Sequence, residues 1–194
     1  MGELELVVFW NVVRVVGRGM EMYNLVDAFG CPPILPIRHR NQKSIESMAK
    51  IVPLISSGTA GPLGVLHLPC LWLKVSLESL GKLADGYPGI GQGYDMMVIN
   101  ALGLRPDAVK KFISDCRPTY PQFEAWIKKQ PGVKLDKATI HKLNVAIQGY
   151  IHPDEVAAGV LKASGIPDAG TVCPDAVNLN NLDDWYEFHK AELS

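Results

Sequence analysis

From residue 69 onward, apolar positions recur at helical spacing, and each apolar stretch is bracketed by a residue that starts helices and one that stops them. Proline suits the first turn of a helix, where its missing N–H would be unpaired anyway, and glycine suits the position just past the end. This punctuation predicts a helix from Pro69 that ends before Gly86. A second is capped by Asp95, runs through MMVINAL and stops at Gly103, and a third, AVKKFISDC, is capped by Asp107. Further helices are predicted from Pro121 to Gly132, from the Asp136 cap to Gly149, from Pro153 to Gly165, and over LDDWYEFHKAEL with Asn181 as cap. MMVINAL is apolar nearly all round and therefore central. Connectors are mostly short, and neither strand–helix alternation nor an internal repeat occurs. The fold class predicted is all-α: a single compact helical domain of about six to eight helices.

The first 57 residues follow another pattern. VVFWNVVRVV is rich in Val, which favours strands, while Leu6, Val13 and Val16 recur at helical spacing, so minor strands fit near the N-terminus. The apolar run Leu6–Val16 is broken by Asn11 and Arg14 and is shorter than the ~20 residues a bilayer span needs. Glu3 and Glu5 stand where a signal peptide carries Lys or Arg. Pro32, Pro33 and Pro36 make GCPPILPIRHR an extended connector, KSIESMAKIV reads as a short helix stopped by Pro53, and SSGTAGPLG as a loop. The division expected is an N-terminal extension over 1–57 and a helical core over 58–194.

Charge changes the picture by exclusion. With 19 Lys plus Arg against 20 Asp plus Glu, the net charge is −1 and no basic stripe stands out, so neither nucleic acid nor an anionic membrane is an expected partner. Cys31, Cys70, Cys116 and Cys173 form no C-x-x-C pair. They read as free thiols in a reducing compartment, which implies a cytoplasmic location.

DGYPGIGQGYD, Asp85 to Asp95, has the glycine content of a phosphate cradle but not its chemistry. Gln92 and Gly93 occupy the places of the Lys and Ser/Thr of a P-loop, and the stretch follows a helix rather than a strand. Asp95 would also repel an anion from the N–H groups it caps. The stretch reads as a joint between helices, or else as a flexible pocket wall with Tyr87 and Tyr94 as polar tips.

Few residues remain for chemistry. His67 lies just before the Pro69 helix start, where a helix N-terminus disfavours imidazolium and leaves a neutral ring able to act as a base. Cys70 sits in the first turn, where a thiolate would be stabilised, although cysteine is among the most buried residue types. Asn144 shares the stripe of Ile140, Leu143 and Ile147, so its amide needs partners. Asp183, Asp184, Glu187 and His189 read as helix-dipole partners rather than a metal site. No metal and no cofactor is expected.

These residues carry a resemblance. Gly64, His67, Leu68, Pro69 and Lys74, then Asp95 at a helix start and Asn144 on a late helix, resemble the pattern of the bacterial domain of unknown function 5069 family over about residues 58–190. Cys70, Leu73 and Ser76 stand where that pattern has Arg, Asp and Arg. The resemblance implies a compact helical domain and draws attention to His67, Asp95 and Asn144, but implies no reaction.

Two functions are expected. The first is a small cofactor-independent enzyme, a lyase, isomerase or hydrolase acting on a small, partly apolar or aromatic substrate. His67 and Asp95 would be its acid–base residues, Asn144, Tyr94, Tyr87 and Lys74 its substrate-binding groups, and Trp72 with Met96 an apolar wall. The second is a non-catalytic helical module that forms a homo-oligomer or binds a partner through Leu6–Val16. A thiol enzyme using Cys70 is a third idea.

Overall fold

The computed structural model describes residues 8–9, 12–13, 49–166 and 175–194. The chain divides into two compact units, Met1–Leu35 and Pro36–Ser194. In the first, Val8–Phe9 (β1) and Val12–Val13 (β2) pair antiparallel, Val8 opposite Val13 and Phe9 opposite Val12. The apolar run that carries the self-association idea otherwise lies outside the described residues.

The second unit is all-α. Its described residues hold helices Leu68–Ser79 (α1), Tyr94–Leu102 (α2), Pro106–Cys116 (α3), Tyr120–Ile127 (α4), Lys137–Gln148 (α5), Asp154–Ala163 (α6) and Ala176–Glu192 (α7). None of them is long and apolar enough to cross a membrane. α1 packs on α3, α2 on α5, and α6 on α7. Leu68, Leu71 and Val75 of α1 are almost fully buried, as are Val98, Ile99 and Leu102 of α2, with Ile113, Phe123 and Ile147 filling the space between neighbours.

Local punctuation set several boundaries correctly. The Asp136 carboxylate accepts the Thr139 N–H at 2.9 Å, and Gly103, with φ of +71°, closes α2. Elsewhere the boundaries move. α1 stops at Ser79 because Gly81 takes φ of +66° and Lys82 N–H returns to the Leu77 carbonyl. α7 begins well before Asn181, with Asp175 as its cap accepting the Asn178 N–H. Asp107 lies in the first turn of α3 rather than at its cap. The segment from 49 to 52 is extended, with Ile51 bridged to Leu83, where the end of a short helix was expected; its earlier residues lie outside those described.

Candidate functional site

His67 ends a loop and starts α1, and it does so with a left-handed backbone, φ +64° and ψ −14°. For a residue with a Cβ that conformation costs on the order of 1–2 kcal/mol. Four bonds hold it and the loop before it. His67 N–H donates to the Thr59 carbonyl at 3.1 Å, and its own carbonyl accepts the Leu71 N–H at 2.9 Å. Asn144, reaching from α5, accepts the Leu66 N–H at 3.0 Å and donates to the Gly64 carbonyl at 2.7 Å. The amide on the apolar stripe therefore braces the loop that aims His67.

The imidazole so placed lies in a continuous polar chain. Nε2 is 2.8 Å from Asp95 Oδ1, and Nδ1 is 3.0 Å from Ser57 Oγ. Lys74, about two helical turns further along α1, donates to Asp95 Oδ2 at 2.5 Å, and the Gly91 N–H donates to the same oxygen at 2.7 Å. Ser57 is 6%, His67 4% and Asp95 2% exposed. Asp95 was expected to cap α2; it is instead the second residue of that helix, whose cap is Gly93, and it turns its carboxylate toward α1.

Electrostatics fix the protons. Burial is the largest influence on His67 and holds it below its ordinary 6.5, with the Lys74 charge pushing the same way against the hydrogen bond and charge of Asp95. Burial alone would raise Asp95, but the hydrogen bond from His67 and the charge of Lys74 outweigh it and hold the carboxyl below its usual range. A carboxylate cannot donate, so the neutral imidazole carries its proton on Nε2. The free lone pair of Nδ1 then accepts the Ser57 hydroxyl proton. The chain reads in one direction: Ser57 to His67 to Asp95, with Lys74 anchoring the far oxygen.

A second carboxyl lies nearby. Tyr87 Oη donates to Asp184 Oδ1 of α7 at 2.9 Å. Burial pushes the Asp184 carboxyl up to about 6, with the Asp183 charge adding to the rise, while the hydrogen bond from Tyr87 and then the charge of Lys74 pull against it. The Asp184 charge also reaches Cys70. Lys74 thus stands between a carboxyl held low and one held high.

The expected site residues distribute unevenly around this chain. His67, Asp95 and Lys74 meet directly, and Asn144 supports them through the backbone. Tyr94 packs its ring 5.4 Å from His67 but spends its hydroxyl on the Ile147 carbonyl, and burial raises it to about 12. Trp72 donates to the Pro118 carbonyl and packs edge-on against Tyr120, apart from the chain. Ser57 escaped the sequence reading because an S-S-G loop announces nothing. Burial raises the Cys70 thiol to about 12, which leaves no thiolate for the thiol-enzyme idea. Cys116 is disulfide-bonded, which corrects the reading of four free thiols; spacing along a chain does not report which distant cysteines meet in space.

Cavities border the helical body among the described residues. One, of about 510 Å³, is mostly apolar and is lined by Val52, Leu54, Ile55, Leu73 and Phe188. Another, of about 250 Å³, is polar and includes Glu78, Asp85 and Tyr87. Neither is lined by His67, Asp95 or Asn144. Among the described residues no cluster of His, Cys, Asp and Glu is arranged to hold a metal ion. No protein-family model, curated protein or solved structure matches the chain.

Proposed function

We propose that the chain is a cofactor-independent enzyme working by general acid–base chemistry on a small, partly apolar substrate, of the hydrolase or acyl-transfer kind. Ser57 is its nucleophile and His67 its base. The observation that carries this reading is the directed chain Ser57–His67–Asp95, with a neutral imidazole between a hydroxyl and an anion. In the step it supports, Ser57 Oγ bonds to the acyl carbon while its proton moves to Nδ1. The leaving group departs with its electron pair and takes that proton, and water then repeats the sequence to free the acyl group. Asp95 holds the ring and offsets the imidazolium charge. Lys74 fixes Asp95 but, being a cation, weakens that offset. A positioned base of this kind contributes roughly 10²–10⁴-fold.

The residues that resemble the 5069 family pattern support the same focus. Gly64, His67, Lys74, Asp95 and Asn144 all take part in the one network, and we propose membership of that family on this ground.

A second reading has its own support. Ser57, His67 and Asp95 are each less than a tenth exposed and their polar atoms are partnered, as a non-catalytic clamp would be. A fluorophosphonate serine probe separates the two on the folded chain. The enzyme reading expects covalent label on Ser57, absent in Ser57→Ala and slowed by about 100-fold or more in His67→Gln. A folded chain in which Ser57 stays unlabelled means that the network is a clamp. Self-association through Leu6–Val16 is compatible with either. A cytoplasmic setting has the Cys116 disulfide against it, since such bonds persist in oxidising surroundings.

A further inference from the structure

Glu124 on α4 is 3% exposed, and among the described residues no lysine, arginine or histidine pairs with it. A glutamate is costly to bury without a cation, so what it holds there is informative. Its Oε1 accepts the Leu63 N–H at 3.2 Å and the Tyr120 hydroxyl at 2.7 Å. Burial first, and then the hydrogen bond to Glu124, hold the Tyr120 hydroxyl above its ordinary 10, so Tyr120 keeps its proton and donates. Gly61 lies so close to this pair that a Cβ on it would collide with the Tyr120 ring and with Glu124 Oε1. The tip of one loop is thus docked on α4.

That loop runs from Ser56 to His67. Its stem is closed by the bridge between Ala60 and Leu66 and by the bond from the His67 N–H to the Thr59 carbonyl. Its tip is closed by the Gly64 N–H, which donates to the Gly61 carbonyl at 2.8 Å. Ser57 stands on one leg and His67 on the other, so their contact depends on how the loop is held. Asn144 of α5 grips only the leg that leads to His67, at Gly64 and Leu66. Glu124 grips the turn that leads back toward Ser57, at Leu63. A loop held at one point can pivot about it; a loop held at two cannot. α4 is in turn fixed to α1, the helix that His67 begins, because Trp72 donates to the Pro118 carbonyl at 3.0 Å and packs edge-on against Tyr120.

We infer that Glu124 is a positioning residue, which from α4 fixes the tip of the Ser56–His67 loop so that Ser57 Oγ and His67 Nδ1 meet. The word catalytic for that pair rests on the reading above; the positioning does not. Both donors to Oε1 are neutral, so the loop uses an acceptor oxygen, and an amide oxygen at the same place serves it equally.

The ring-nitrogen signals of His67 in ¹⁵N nuclear magnetic resonance of the full chain test this without any substrate. In wild type, Nδ1 should carry the signal of a nitrogen that accepts a hydrogen bond. Glu124→Ala, folded by circular dichroism, should move that signal to the position of an unbonded lone pair and slow Ser57 labelling by about 10- to 100-fold, the cost of a small misplacement. Glu124→Gln should restore both to wild type. A folded Glu124→Ala chain with the wild-type Nδ1 signal overturns the inference, and so does a Glu124→Gln chain that behaves like Glu124→Ala. Where Glu124→Ala does not fold, Glu124→Gln and the Leu63 amide of wild type decide. That amide should exchange about ten-fold or more below its intrinsic rate, and exchange at the intrinsic rate overturns the inference. If wild-type Ser57 takes no label, the enzyme reading fails, while the Nδ1 signal and the Leu63 amide still judge Glu124.

Discussion

Replacing Asp95 by Asn is the sharpest test of the buried network, because it keeps the volume while removing the charge and one acceptor oxygen. Asp95 accepts three hydrogen bonds, from His67 Nε2, Lys74 Nζ and the Gly91 N–H. An asparagine offers one acceptor oxygen where two were used, and turns an N–H₂ toward at least one donor. The larger loss is Lys74, whose side chain is 12% exposed and keeps its charge without a partner. Breaking a buried ion pair from one side costs about 3–5 kcal/mol, a large share of the ~5–15 kcal/mol that holds a domain together. Urea unfolding followed by far-ultraviolet circular dichroism reads the loss as a lower midpoint at unchanged slope. Adding Lys74→Met to Asp95→Asn should recover part of it, since the orphaned cation is then gone; the cycle should show coupling of about 1 kcal/mol or more. A cost for Asp95→Asn below about 1 kcal/mol would refute the reasoning, because it would mean that Lys74 reaches water on its four-carbon stem and was never committed to the pair.

Two further outcomes follow from the same geometry. Asn144→Ala leaves the Leu66 N–H and Gly64 carbonyl without their partner and should cost about 1–3 kcal/mol, read by urea midpoint, and it should slow any Ser57 labelling by misaiming His67; labelling at the wild-type rate would show that the loop aims itself. Stability against pH has an opposed pair of contributions. His67 is held below its ordinary 6.5, so the unfolded chain takes up a proton first and stability falls as pH drops below 6.5, whereas Asp184, raised to about 6, adds stability as pH drops through that value. His67→Gln removes the first contribution alone, so its unfolding midpoint should draw closer to that of wild type from pH 7.5 to 5.5; parallel curves would show that His67 does not titrate differently on folding.

What was legible beforehand depends on how far each side chain looks for its partner. Asp136 caps α5 through an amide three residues on, and Gly103 stops α2 through its own φ; both are local events, and both were read correctly. Asp95 stands at a helix start as well, yet donors from α1 outcompete the amides of its own helix, and nothing within a few residues of Asp95 announces them. Asn181 looked like a cap because asparagine is a poor helix interior residue, but the Asp175 carboxylate had already begun α7, whose interior then carries Asn178, Asn180 and Asn181. The all-α fold came through because many such local signals add up. The residues of the site came through in part, since a histidine beside a proline-led helix and an amide on an apolar stripe are conspicuous for their cost. Ser57 was not conspicuous at all, and Asp184 read as an ordinary helix-dipole partner, because a loop serine and a helical acid are cheap wherever water can reach them. Their surroundings, not their neighbours in sequence, make them unusual: Ser57 by the His67 ring set against it, and Asp184 by a tyrosine that the glycine-rich connector delivers from nearly a hundred residues away. A network of this kind is specified by which helices pack together, so its chemistry becomes visible only once the bundle has closed around it.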